Sequence, residues 1–228
     1  MLTFRTEFHC HSIYSKDSLA KPHALIMAAR RKGIDRLIIT DHNSIGGALE
    51  AKKLAPELVI VGEEIMTTRG ELLAAFVSEE LPSGLEPLEA IRRLRVQGAF
   101  ISVSHPFDDF RSGHWALPDL LEIAPLVDAI EIFNARCMDM RPNHAAREFA
   151  YAYNLAGTVG SDAHTALEVG RATQLLAEFS DADGLRTVIR SAQETVRLSS
   201  PFIHLASRYA TTLKKLGLVA RPAMKKHG

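Results

Sequence analysis

At 228 residues, with 46% apolar and 24% charged side chains, the chain is long enough for one globular domain with a buried core, and too apolar for a disordered or fibrous one. Lys plus Arg and Asp plus Glu both total 27, so the formal charge is zero and no overall field favours polyanions or acidic membranes. The two cysteines, Cys10 and Cys137, are too few for a disulfide framework, the first ten residues lack an apolar signal core, and no apolar run reaches transmembrane length; a cytoplasmic protein with no membrane partner is expected.

Short apolar runs alternate with segments of helical period, the pattern of repeated βα units around a mainly parallel sheet. In chain order the sequence predicts a strand over Leu2–His9, a helix over Pro22–Lys32, a strand over Arg36–Thr40 and a helix over Ile45–Leu54. Strands over Leu58–Gly62 and Leu72–Val77 precede a helix over Pro87–Gln97, a strand over Ala99–Ser104 and a helix over Pro118–Ala124. A strand over Ala129–Phe133, a helix over Asn143–Leu155 and a strand over Gly157–Gly160 complete the repeat, with weaker strands over Ala172–Ala177 and Thr195–Leu198. Pro22 and Pro87 fall in first helical turns, while Gly33, Gly98 and Gly157 fall just past helix ends. Residues 1–200 are read as one barrel-type domain and 201–228 as a tail on it. Within the tail, His204–Leu216 has helical period, Lys214, Lys215, Lys225 and Lys226 are read as solvated, and Arg221–Gly228 as frayed.

Six apolar runs end in polar residues able to bind metal or substrate: FHCHS from Phe8, TDHN from Thr40, GEE from Gly62, SHPF from Ser104, EIFNAR from Glu131 and GSDAH from Gly160. The carboxyl ends of parallel strands converge on one mouth, so residues distant in sequence meet there. Alternation puts His9 and His11 on one face with Cys10 on the other, and Asp162 and His164 repeat that spacing. Imidazole with carboxylate suits Zn, Fe or Mn better than Ca or Mg. Asp41 is expected beside the metals, orienting His42 or capping the next helix. His23, His114, His144, His204 and His227 stand without companions and are read as structural or surface residues, and Cys10 and Cys137 as small buried hydrophobes.

In this order, HCHSIYSKD, TDHN, GEEI, HPF and GSDAH resemble the motifs of the PHP family, the polymerase and histidinol phosphatase domains, over roughly Thr3 to Glu168. The resemblance implies an α/β fold, a distorted, TIM-like (β/α)7 barrel with two or three divalent metal ions at the C-terminal ends of its strands. It implies that His9, His11 and Asp162 hold one ion, that Glu64 bridges it to a second also bound by His105, and that Asp17, His42 and His164 hold the third. Glu64 is preferred to Glu63 because it immediately precedes Ile65, as in the family pattern. One departure stands out. Many relatives carry a further histidine between the glutamate and His-Pro motifs, whereas no histidine occurs here from Asn43 to Ser104; Glu71 is the nearest replacement by position and is left outside the ligand set.

The function expected is metal-dependent hydrolysis of a phosphate ester, on a small phosphorylated metabolite or nucleotide. Arg111 and Arg136, each a few residues past a ligand-bearing strand end, are expected to clasp the phosphate, and His105 or His164 to assist protonation of the leaving group. An exonuclease acting on RNA or DNA ends is the alternative, disfavoured by a single Trp and dispersed basic residues; a non-catalytic metal-binding module is the third reading.

Overall fold

The computed structural model describes residues 2–222. Nine strands follow the runs read from the sequence: β1 (Thr3–Glu7), β2 (Arg36–Ile39), β3 (Val59–Met66), β4 (Glu71–Ala75), β5 (Phe100–Val103), β6 (Ala129–Asn134), β7 (Ala156–Gly160), β8 (Ala172–Ala177) and β9 (Gln193–Val196). Helices α1 (Pro22–Arg31), α2 (Gly46–Leu54), α3 (Pro87–Val96), α4 (Leu117–Ile123), α5 (Arg141–Ala152), α6 (Ala182–Val188) and α7 (Ile203–Lys215) intervene. One sheet orders its strands β7-β6-β5-β4-β3-β2-β1-β8-β9. It curls until Gln174 Nε2 of β8 donates to Gly157 O of β7 at 2.9 Å, and Ala172 N donates to Ser161 Oγ at 2.9 Å. Just past β1 and β7 a parallel bridge between Cys10 and Ala163, with His11 N donating to Ala163 O at 2.7 Å, joins these side-chain contacts in closing the distorted barrel.

The sheet is mixed. Pairs β1–β2, β2–β3, β5–β6 and β6–β7 are parallel, but β4 runs antiparallel to both β3 and β5, and β8 antiparallel to β1 and β9. The nine-strand count exceeds the seven implied by the family resemblance because the β8–β9 pair adds to β1–β7. Strand β3 runs four residues beyond its expected end, so Glu63 and Glu64 lie within the strand on opposite faces.

Helices α1 and α2 cover one side, burying Leu25, Ala28, Ala29, Ala48 and Ala51 against Leu37, Ile39 and Val59. Helix α6, absent from the sequence reading, buries Ala182 and Leu185 with Phe100, Ala129 and Ala156, residues that begin their strands. It therefore sits at the end of the barrel opposite the predicted ligands. Lys214 corrects a second expectation. Far from being solvated, its ammonium donates to the carbonyls of Ile13 (2.7 Å), Ser15 and Ser18 (2.6 Å), and burial pushes its pKa down to about 8. Helix α7 is thereby fixed on the loop that carries Asp17. Lys225, Lys226 and His227 lie outside the described residues.

At the end of β1, Glu7 is fully buried and accepts hydrogen bonds from His9 N (3.3 Å), Ser161 N (2.9 Å), Ser161 Oγ and Gly170 N (2.8 Å). Burial outweighs those donors and lifts its pKa from 4.5 to about 7. The folded carboxyl keeps its proton to a higher pH than the unfolded one, so Glu7's contribution to stability is greatest below pH 4.5 and declines as pH rises through 7. Glu7→Gln should flatten that decline in urea unfolding series taken from pH 5 to 8. Glu7→Leu leaves buried N–H groups unpaired and should lose about 3 kcal/mol at pH 6; a variant as stable as the parent would show that those donors find other partners.

Candidate metal centre

Beyond β1 the chain stays extended through His9, Cys10 and His11, with Cys10 bridged to Ala163. Cys10 turns outward, its thiol 3.4 Å from Ile38 O among the residues under α1 and α2. His9 and His11 turn inward, with Nε2 atoms 3.0 Å apart. Around them stand Asp162 Oδ1, at 3.6 and 3.2 Å, and Glu64 Oε2, at 3.4 and 3.3 Å. His42 Nε2 and His164 Nε2 flank Asp17 Oδ2 at 3.4 and 3.2 Å. His105 Nε2 lies 3.2 Å from Glu64 Oε1. All eight residues expected as ligands thus meet at one mouth, and Glu71 joins them, 3.4 Å from both His42 Nδ1 and His105 Nε2. Donors that share one ion at about 2.0–2.3 Å stand roughly 2.9–3.6 Å apart, the spacing seen here.

Neighbouring groups aim the imidazoles. Glu131 Oε1 holds His9 Nδ1 at 2.9 Å, Ser15 Oγ holds His11 Nδ1 at 3.0 Å, and the Asp162 carbonyl holds His164 Nδ1 at 2.8 Å, leaving each Nε2 to face the centre. Glu131, whose other oxygen accepts from His105 N (2.9 Å) and Asn134 Nδ2 (3.1 Å), was legible only as part of a polar strand end. Gly160 leaves space for this arrangement: a Cβ there would lie 2.3 Å from Glu131 Oε1 and 2.5 Å from His9 Cβ. Asp41 faces away from the ions' side, accepting from Ser12 N (2.6 Å), Ser12 Oγ (2.6 Å) and Ser15 Oγ (2.8 Å), and so braces the loop behind His11. His105 and Asp162 have φ of 21° and 49°, left-handed conformations that non-glycine residues adopt at some cost.

The charge balance calls for cations. Glu64 and Asp162 are buried, which disfavours ionisation, yet His9 beside both and Arg111 beside Asp162 hold their pKa values well below the usual range. Asp17, half-buried and so likewise opposed in ionising, is nonetheless pulled down by His164 and His42. Burial opposes protonation of His9 and His42, but the surrounding carboxylates overcome it and raise both. His11 goes the other way, to about 3, through burial and the charges of His164 and His42. His9 and His11 stand too close to be charged together, so one proton serves the pair. Asp17 Oδ1, His42 Nδ1, Glu64 Oε2, both His105 ring nitrogens and Asp162 Oδ1 are buried without hydrogen-bond partners. Buried polar atoms without partners are costly, and divalent ions at these positions would satisfy them together. The residues fit the metals implied by the family resemblance.

A cavity of about 1080 Å³ opens beside Asp17 and His164. Arg111 and Arg136 both line it. Arg111 Nη2 binds the second oxygen of Asp162 at 2.5 Å, and its side chain retains 21% exposure. Arg136 is 3% exposed and reaches across to α7, donating to Ser207 Oγ at 2.7 Å. From α7, His204, Arg208 and Thr211 line the same space at helical spacing; His204, expected as a structural or surface residue, thus has companions that the sequence did not reveal because none neighbours a motif. Burial and the nearby Arg136 and Arg111 lower the pKa of His204, which is therefore neutral at pH 7. Of the two histidines expected to assist proton transfer, His164 lines the cavity and His105 lies buried behind Glu64.

The family model PHP_C, described as PHP-associated, matches residues 140–193, from the N-terminus of α5 into β9. An uncharacterized protein of Methanocaldococcus jannaschii is 40% identical over 179 residues, spanning 77% of this chain and 72% of that one. The chain belongs to the PHP family. Its fold is shared by a two-domain protein of Bacteroides vulgatus that contains a predicted PHP-like metal-dependent phosphoesterase (TM-score 0.72, 22% identity, 86% of this chain and 65% of that one). It is also shared by a lesion-specific endonuclease of Pyrococcus furiosus (TM-score 0.63, 17% identity, 88% and 60%). The PHP chain thus spans less than two thirds of either protein.

Strand alternation makes a sharp test. Asp162→Asn should lose at least one equivalent of bound metal by elemental analysis, whereas Cys10→Ala, on the opposite face, should keep the parent stoichiometry in a folded protein. Equal metal loss in both would contradict this register.

Proposed function

We propose that this PHP protein is a metal-dependent phosphoesterase acting on a small phosphorylated metabolite or nucleotide. The observation that carries the reading is the cavity itself: Asp17 and His164 of the donor set line it together with Arg111, Arg136 and Arg208. His9, His11, Glu64 and Asp162 would hold one ion, Glu64 and His105 a second, and Asp17, His42 and His164 a third, with Zn, Fe and Mn all matching the donor types. Bound there, such ions supply Lewis-acid activation of water and neutralise charge on phosphoryl oxygens. The chain's own residues do the rest. Arg111 offers the fork geometry that matches phosphate, and its grip on Asp162 already aims it at the centre. Arg136 sits behind it and holds α7 in place through Ser207. His164, at the boundary between donors and cavity, turns Nε2 to the centre and gives its Nδ1 to the Asp162 carbonyl, so it serves as a ligand and the departing alkoxide takes its proton from solvent.

The volume exceeds what an inorganic phosphate needs and falls in the range of sites for whole small ligands. Arg208, which makes no ion pair or side-chain hydrogen bond among the described residues, is available to a second anionic group on such a substrate. Phe110 and Phe202, 80% and 79% exposed, line the same cavity and offer flat apolar surface for a base. Those two rings also favour a second reading, an exonuclease that seats the terminal nucleotide of a single strand.

Protein purified without chelator should carry more than one equivalent of Zn, Fe or Mn and hydrolyse members of a panel of phosphate mono- and diesters, single-stranded oligonucleotides included. Chelation should abolish the activity; full activity in EDTA by protein free of metal would remove the basis of this reading. Arg111→Ala should keep its metal and lose about 2–4 kcal/mol of transition-state stabilisation, roughly 30- to 1000-fold in kcat/KM. Unchanged kinetics for that variant would leave phosphate recognition to the ions.

A further inference from the structure

The rule that ligands gather at the carboxyl ends of strands conceals one residue. Strand β4 is antiparallel to its neighbours, with Glu71 opposite Met66 at the end of β3 and Leu72 opposite Val103 at the end of β5. The first residue of β4 therefore arrives at the mouth where the other strands finish. Glu71 is only 4% exposed. Its main chain is clamped: its N–H donates to Gly113 O at 3.0 Å, and its carbonyl accepts from Trp115 Nε1 at 3.0 Å and Ser104 N at 3.2 Å. Gly113 in turn makes way for the carboxylate, since a Cβ there would lie 2.0 Å from Glu71 Oε2.

The carboxylate fixed in this way faces His105 Nε2 and His42 Nδ1, each at 3.4 Å, yet neither nitrogen has a hydrogen-bond partner. His42, Glu64 and Glu71 each offer a donor atom within 4.8 Å of the others', a spacing that could hold an ion. Glu64 Oε1, 3.2 Å from the same His105 Nε2, closes the triangle. We propose that Glu71 is a metal ligand which, with Glu64 and His105, completes the second ion position in a chain that has no histidine between Asn43 and Ser104; this rests on the metal-dependent reading above. Two carboxylates and one imidazole make this the most oxygen-rich of the three positions, so it favours harder ions such as Mn over Zn relative to the Asp17, His42 and His164 position.

The test uses the full chain stripped of metal and titrated separately with MnCl2, ZnCl2 and a ferrous salt, with bound ion counted by elemental analysis after dialysis and affinities read by calorimetry. Glu71→Gln should bind one equivalent fewer than the parent, or bind that equivalent at least about 100-fold more weakly, with the remaining ions retained. Glu71→His should restore the equivalent and raise its Zn-over-Mn preference by about tenfold or more, which also shows that the position tolerates substitution. Were Glu71 instead to act only on His42, its effect would vanish once the third position is disabled. In an Asp17→Asn background, Glu71→Gln should therefore remove a further equivalent, and no further loss would overturn the assignment. Unchanged stoichiometry and affinity in Glu71→Gln would also overturn it while leaving the phosphoesterase reading intact. A parent protein that binds no Mn, Zn or Fe would overturn both.

Discussion

Everything at the mouth of this barrel depends on the need to balance buried negative charge. Asp17, Glu64, Glu71 and Asp162 converge within hydrogen-bond distances of one another's partners, and among the described residues Arg111 is the one arginine or lysine paired with any of these carboxylates. Isolated carboxylates in such a place would cost several kcal/mol each. The protein answers with five imidazoles, His9, His11, His42, His105 and His164, which accept either protons or ions. The surrounding structure follows from keeping those rings in position: Glu131 behind His9, Ser15 behind His11, and Asp41 behind Ser12 and Ser15. These braces reach back into the strands, and Glu7 ties the start of the His9 segment to Ser161 and Gly170 in the adjoining β7–β8 connection.

Much of this was legible in the sequence because strand chemistry is periodic. A two-residue repeat placed His9 and His11 together and Cys10 outside, and the polar ends of apolar runs gave the mouth. The same alternation separates the adjacent Glu63 and Glu64. Glu63 accepts from Leu81 N at 3.1 Å in an apolar layer, where burial lifts its pKa to about 8, while Glu64 reaches the histidines. Glu71 was legible only by position, as the nearest replacement for the missing histidine, and it was left outside the ligand set for a definite physical reason. A residue at the start of a strand reaches the mouth only if that strand runs backwards, and strand direction is a property of the sheet and not of the local sequence. Helix α6 escaped notice because it is short and its buried apolar residues, Ala182 and Leu185, make too brief a stripe to show a period.

The C-terminal segment illustrates a different limit. Lys214 looked like one of several basic surface residues, and only the folded chain shows three carbonyls of the loop over Ile13, Ser15 and Ser18 surrounding its ammonium. A lysine is the side chain for this task, with a compact cation and three donors at the end of a long stem. Arg221 adds a second hold on the same loop, both its Nε and Nη2 donating to Tyr14 O at 2.9 and 2.8 Å. Helix α7 is consequently attached at two places that matter, to the loop bearing Asp17 and, through Ser207, to Arg136. Its position sets the width of the cavity between the metal ligands and Arg208.

Protons and ions compete for the same nitrogens here, and the competition has a direction. His9 and His42 hold protons well above the ordinary histidine range because the carboxylates beside them outweigh burial. Without ions, those protons stabilise the folded chain below the unfolded histidine pKa, and the stabilisation is lost as pH rises through the raised folded values. An ion entering must expel them, so its affinity increases with pH as the protonated fraction falls. The left-handed backbone at His105 and Asp162 belongs to the same balance. Two residues held in unfavourable conformations are kept there by the contacts of their side chains and neighbouring main chain, and each ion that bridges those side chains adds to the hold. The centre is thus least stable by itself in the form that binds ions best, the deprotonated one, which is the expected cost of keeping so many ligands in one buried place.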